Sequence, residues 1–196
     1  MPAAGERWPP VYDAEDLVRE IKRLTERPDI AEAFFEWRRD RSTTAPPDVC
    51  QGDVITLRSE VPLILEDGQP GVMDHPEGSW LVVGNTCDVD RPIEEVRWTQ
   101  LVPIVDVGDT RSVSATDADA LRRYTQARRF HVPAWSGSLA TRLHVADLLR
   151  PVGVDKRALI GTAPMATVEA RMSRAAWILL NACLVRFLAR DDGRYA

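Results

Sequence analysis

The chain has 196 residues, 44% of them hydrophobic and 28% charged, enough for one domain, or a small domain with helical additions, to bury a core without covalent staples. A net charge of −5 excludes a protein whose whole surface tracks nucleic acid, because phosphate binding draws on clustered Lys and Arg. The three cysteines are odd in number and widely spaced, which excludes a disulfide framework and points to a reducing compartment.

The opening "MPAAGERWPPVYDAEDL" has no apolar signal core, and the apolar stretch near the C-terminus is interrupted by Arg186, Arg190 and Asp191. We therefore expect a soluble, cytoplasmic protein with no membrane partner. Asp13 is placed to cap a first helix carrying Leu17, Ile21 and Leu24 at helical spacing, with Asp16 in its first turn. After Pro28, a second helix is expected to carry Ile30, Phe34, Phe35 and Trp37 on one side, until Pro46 and Pro47 end the periodicity. Residues 1–45 thus read as an N-terminal helical extension, and residues 46–196 as the main domain.

From residue 49 the pattern turns to short strands: "DVITLR" (53–58), "VPLILE" (61–66), "WLVVGN" (80–85) and "TQLVPIVDV" (99–107), with "EDGQPG" as turn chemistry. Together they predict a small antiparallel sheet. "TDADALRRYTQARR" places acidic residues first and basic ones last, as the helix dipole favours, and predicts a helix over 117–128. "RFHVPAW" and "TRLHVADLL" read as two further strands. A long terminal helix is expected over "TAPMATVEARMSRAAWILLNACLVRFLARDD", its stripe made by Met165, Val168, Met172, Ala176, Leu179, Cys183 and Phe187 and widened by Leu180 and Leu184. Cys183 is a packing residue in this reading, and the stripe calls for a covering surface: the sheet, the N-terminal helices or a second copy.

The chemistry-bearing stretch is "SWLVVGNTCDVDRP" (79–92). Cys87 as a nucleophile needs a lowered thiol pKa and a base from His75, His131 or His144; otherwise it is a small residue closing a strand. Asp88, Asp90 and Arg91 then shape the rim of a groove. Asp74, His75, Asp88 and Asp90 have the types to hold a divalent cation, but their spacing matches no ligand pattern and "DHPEG" reads as a turn, so no metal and no cofactor are expected. The densest basic region supplies Arg122, Arg123, Arg128 and Arg129. With Arg111 and the ring of Trp80 these are candidate binding residues for single-stranded RNA, against the alternative of solvated arginines beside aromatics that fill a core.

Five pieces in order, "QGDVI" (51–55), "WLVVGN", "LVPIVDV", "LHVADLLRPVGVDKRALIG" and a long helix, resemble the MazF/PemK family of toxin ribonucleases over roughly residues 50–185. The matched positions are Gly52, Asp53, Val54 and Ile55 at the start, and Val154, Asp155, Lys156, Arg157, Ala158 and Leu159 near the end. The resemblance implies an α+β fold: a small SH3-like antiparallel β-barrel with the N-terminal helical hairpin and long C-terminal helix appended. It also implies a homodimer and a protein partner of antitoxin or defence type. Two positions depart from the family: Ser79 and Trp80 stand where it has an Arg-Pro pair, and Val105 and Asp106 where it brings a hydroxyl residue. Neither replacement supplies the positive charge that phosphoryl transfer uses. The expected function is therefore a binding or regulatory protein of toxin or defence type. The alternatives are a divergent endoribonuclease, with Asp88 or His75 as base and Arg91, Arg111 or a residue of the arginine run as the cation, and a cysteine-dependent enzyme using Cys87.

Overall fold

The structure, a computed structural model, describes residues 14–26, 33–39, 48–64, 70–109, 111, 113–135, 138, 140–160 and 166–188, with backbone alone for 14–18, 20, 58–64 and 70–77. In chain order the elements are α1 (Ala14–Thr25), β1 (Phe35–Arg38), β2 (Asp53–Ile64), β3 (Pro70–Val82), α2 (Thr86–Asp90), β4 (Trp98–Asp109), α3 (Ala115–Arg122), β5 (Arg129–Val132), β6 (Arg142–Asp147), β7 (Val152–Asp155), a 3-10 turn (Lys156–Ala158), β8 (Ala166–Met172) and α4 (Arg174–Leu188). The fold is mixed α+β, a curled antiparallel sheet with a C-terminal helix. The strands run in the order β1-β8-β2-β3-β4-β6-β5, and β7 pairs with β4 alongside β6.

Alternation along the strands sends side chains to both faces of the sheet, and both faces are buried. On one face Val54, Leu81, Val102 and Ala170 meet Ala176, Leu179, Leu180 and Cys183 of α4 and Ile21 and Leu24 of α1. On the other, Ile55, Leu57, Trp80, Leu101 and Val168 close on one another, with Val89 of α2 and Leu159 added. This inner core holds the curl together. Glycine is required at two of its corners, since Gly52 (φ +92°) turns the chain into β2 and Gly108 (φ +127°) sits in the bulge between β4 and β6.

Several expectations are corrected. Within the described residues the expected second helix is replaced at 35–38 by strand β1, paired with β8, because aromatic side chains suit a pleated surface as well as a helical face. Asp13, Pro28 and Ile30 lie outside the described residues. "DVITLR" and the described part of "VPLILE" (61–64) belong to one strand, β2, and "DHPEG" is no turn but mid-β3, with Asp74 opposite Glu60 and His75 opposite Ser59. Of the turn expected over "EDGQPG" (66–71), residues 66–69 lie outside the described residues, and Pro70 and Gly71 already belong to β3. The helix predicted over 117–128 starts earlier and ends earlier, capped by Ser114 and stopped before Tyr124, whose φ is +54°.

The long terminal helix is likewise two elements. Val168, Ala170 and Met172 are buried in alternation with half-buried neighbours, a period of two, and only from Arg174 does the chain become helical. Its apolar stripe is covered by this chain's own sheet and α1, so the stripe no longer calls for a second copy. Among the described residues no helix is long and apolar enough to cross a membrane.

Candidate functional site

The predicted site residues Cys87, Asp88, Asp90 and Arg91 fall on α2 and its C-terminal end rather than on a strand end. The first turn is fixed by Asn85, whose side-chain oxygen accepts from the Cys87 amide at 2.9 Å. Thr86 accepts from the Gln51 amide at 2.9 Å, and the Gln51 side chain donates to Val83 O and accepts from the Trp177 indole, both at 2.9 Å. Gln51 therefore joins the entry of β2 and the start of α2 to α4.

The other end of α2 is held by Lys156. Its side chain is fully buried, and Nζ donates to three backbone carbonyls, those of Asp88 (2.8 Å), Val89 (3.2 Å) and Arg91 (2.6 Å). An ammonium has three protons to donate, and each is met by an oxygen that the helix end leaves free. The cation thus does the work of a C-terminal cap, and it also opposes the negative end of the helix dipole.

What this arrangement presents outward is polar and accessible. Cys87 is an exposed free thiol, not the buried closing residue of a strand. Asp88 and Arg91 form an exposed ion pair at 3.8 Å, and Asp90, Glu94 and Glu95 are exposed nearby along the chain. His75 is not brought to them: it lies in the outer half of the β2–β3 hairpin, and at about 3.3 Å per residue the strand puts it roughly 20 Å from the end of β3. Its side chain lies outside the described residues. His131 and His144 lie on β5 and β6, across β4 from the strand that leads into α2. Burial pushes the His131 imidazole down to about 4 and lowers that of His144, whose ring packs edge-on against Trp135. Neither pairs with Cys87.

Asp106, which stands where the resemblance would bring a hydroxyl, lies on the β4–β6 bulge. Its carboxylate accepts from the Gly108 amide at 2.9 Å and is ion-paired with Arg142. Burial alone would push this carboxyl up, but the Arg142 guanidinium and the amide outweigh it and hold the group below its ordinary value. Ser79 and Trp80, which stand where the resemblance would bring an arginine, leave no open site either. Ser79 is half-buried opposite Thr56, and Trp80 is 1% exposed in the inner core, so its ring cannot stack on a base. The expectation that Trp80 binds RNA is corrected accordingly.

The predicted arginines fall on elements other than α2. Arg111 follows β4, Arg122 and Arg123 end α3, and Arg128 and Arg129 lead into β5; all are exposed. Arg123 pairs with Asp119 at 3.0 Å, and Arg129 stands opposite Asp147, which also binds Arg150 at 2.7 Å. The aromatics interleaved with them, Tyr124 and Phe130, are core residues with ring centroids 5.0 Å apart. The exposed ring is Trp98, 57% accessible, with the Arg97 guanidinium 5.2 Å from its centroid. Beside it, Asp155 is gripped by Arg97 (2.8 Å) and Arg157 (2.6 Å), which hold its carboxyl far below the usual range.

Sequence reasoning gave no role to Lys156, Gln51 or the pair of Asp53 and Arg171. Asp53 is fully buried and receives both ends of the Arg171 guanidinium at 2.9 Å, together with the Cys50 amide at 2.8 Å. A signal existed for two of them, since Asp53 and Lys156 are charged residues inside otherwise apolar strand and turn patterns. No group of three or more His, Cys, Asp or Glu side chains is arranged to hold a metal ion among the described residues. Compared with protein-family models and with curated proteins, the chain matches none.

Proposed function

We propose that the chain is a binding protein of toxin or defence type, built on an SH3-like, MazF/PemK-like barrel whose nuclease site has been replaced. The observation that carries this reading is the state of the two family positions: one is occupied by the buried Trp80, the other by Asp106 locked to Arg142. A carboxylate there repels phosphate, and the paired arginine is neutralised rather than free to stabilise a transition state.

The partner is a protein with basic groups rather than an RNA. The 86–98 segment offers the half-exposed Asp88, the exposed Asp90, Glu94 and Glu95 and the accessible ring of Trp98, a charged rim around an aromatic anchor. The arginines that would have tracked a phosphate backbone are divided among separate elements and interleaved with carboxylates. Three free cysteines fit a reducing compartment such as the cytoplasm. The homodimer now rests on the family resemblance alone.

The test is incubation with a long single-stranded RNA, with magnesium and with chelator, beside an Asp88→Ala variant. Intact RNA in all lanes is expected. Discrete fragments that disappear with Asp88→Ala would overturn the proposal in favour of an endoribonuclease with a rebuilt site.

A further inference from the structure

On the face of the molecule formed by α1, the end of α3 and the end of α4 lies a cleft of about 530 Å³, within the range of small-molecule sites. Its wall includes Ile21, Lys22, Thr25, Glu26, Arg123 and Arg186. Ile21 supplies an apolar floor continuous with the core, and the stems of Lys22 and Arg123 can extend it.

The charges around the cleft do not cancel. Lys22 pairs with Glu26 at 3.7 Å, and Arg123 pairs with Asp119 at 3.0 Å. Arg186 has no carboxylate partner among the described residues. One terminal nitrogen donates to Tyr124 O at 2.6 Å, while the buried Nε meets no acceptor. Nε is closed off from the cleft, but the half-buried guanidinium lines its wall, and a carboxylate matches the remaining terminal N–H groups in charge and shape. Among the described residues, pairing the other two cations leaves a single net positive charge, which favours a monoanion over a dianion.

We propose that this cleft binds a small organic carboxylate, with the carboxylate on Arg186 and an apolar body against Ile21. This site uses none of the elements invoked for the protein-binding rim, so the RNA experiment and this one can fail independently.

The test is calorimetric titration of the whole protein with 2-naphthoate, with the neutral isostere 2-naphthamide as control. The expected result is saturable one-to-one binding of 2-naphthoate that weakens about tenfold or more in Arg186→Gln, with the amide similarly weak against the unaltered protein. Thr25→Trp, which puts a bulky ring at the cleft wall and leaves Arg186 in place, is expected to abolish binding while thermal melting stays cooperative. The proposal is overturned by equal affinity for acid and amide, by an Arg186→Gln variant that binds as before, by Thr25→Trp leaving affinity unchanged, or by no saturable binding of 2-naphthoate.

Discussion

Replacing Lys156 with Met removes the cation that closes α2 while keeping the length of the side chain. Three charge-assisted hydrogen bonds are lost, each worth roughly 1.5–3 kcal/mol. Two effects offset part of this. The carbonyls of Asp88 and Arg91 are only partly buried and can turn to water, and the variant no longer buries an ammonium, an expense of several kcal/mol in the folded state. The oxygen of Val89 has no such recourse, because that residue is 2% exposed. The net expectation is a destabilisation of about 2–4 kcal/mol, or roughly 5–15 °C in Tm for a chain of this size. Urea unfolding at fixed pH reads it as a lower midpoint with an unchanged slope, and hydrogen exchange should quicken first at the amides of Asp88 and Val89, which bond to Asn85. A loss below about 0.5 kcal/mol, or a gain, would refute the claim that Lys156 holds α2, since a well-packed apolar replacement would then serve as well.

Arg171→Met should cost about 3–5 kcal/mol by leaving the buried Asp53 without its guanidinium, and combining it with Asp53→Asn should restore much of that in the same urea assay. His131 falls from 6.5 to about 4 through burial, helped by Arg122 and His144, so the unfolded chain takes up its proton before the folded one does. The stability this group contributes is complete above pH 6.5 and is lost as pH falls towards 4, roughly 3 kcal/mol in all; His131→Gln should flatten the urea midpoint over that window, and an unchanged slope would contradict the assignment. Gly84→Ala would place a Cβ 2.0 Å from Thr99 Oγ1 and 2.9 Å from the Gln100 nitrogen, so a loss of about 1–3 kcal/mol is expected, with only partial rescue by adding Thr99→Ala.

The elements that were legible are those where burial and periodicity agree. β4, β5 and β6 fall where branched and aromatic residues cluster between turn signals, and α3 was visible from its charge order. The misread stretches share one ambiguity. Val168 and Met172 are four apart, a spacing that satisfies a helix face and also one side of a strand, and the deciding residue is Ala170, too small to announce itself as core. Phe34, Phe35 and Trp37 posed the same choice, resolved by pairing with β8, a partner more than a hundred residues away that no local window contains. At the candidate site, the exposed carboxylates and Arg91 could be named from their types. The residue that fixes them in space could not, because a lysine in a sequence reads as surface until the three carbonyls around it are seen.

The strand order places β8 between β1 and β2, so the last strand made is inserted between the first two. During synthesis β1 has no sheet partner, and the outer edge of β2 stays open, until residues 166–172 have emerged. The chain must therefore carry two unpaired edges through most of its translation, the condition under which strands of different molecules join each other. Completion depends on contacts of long sequence separation, which makes assembly of this sheet slow relative to the helices around it. A truncation anywhere before β8 would remove more than one strand's worth of structure, because it would leave both neighbours exposed at once.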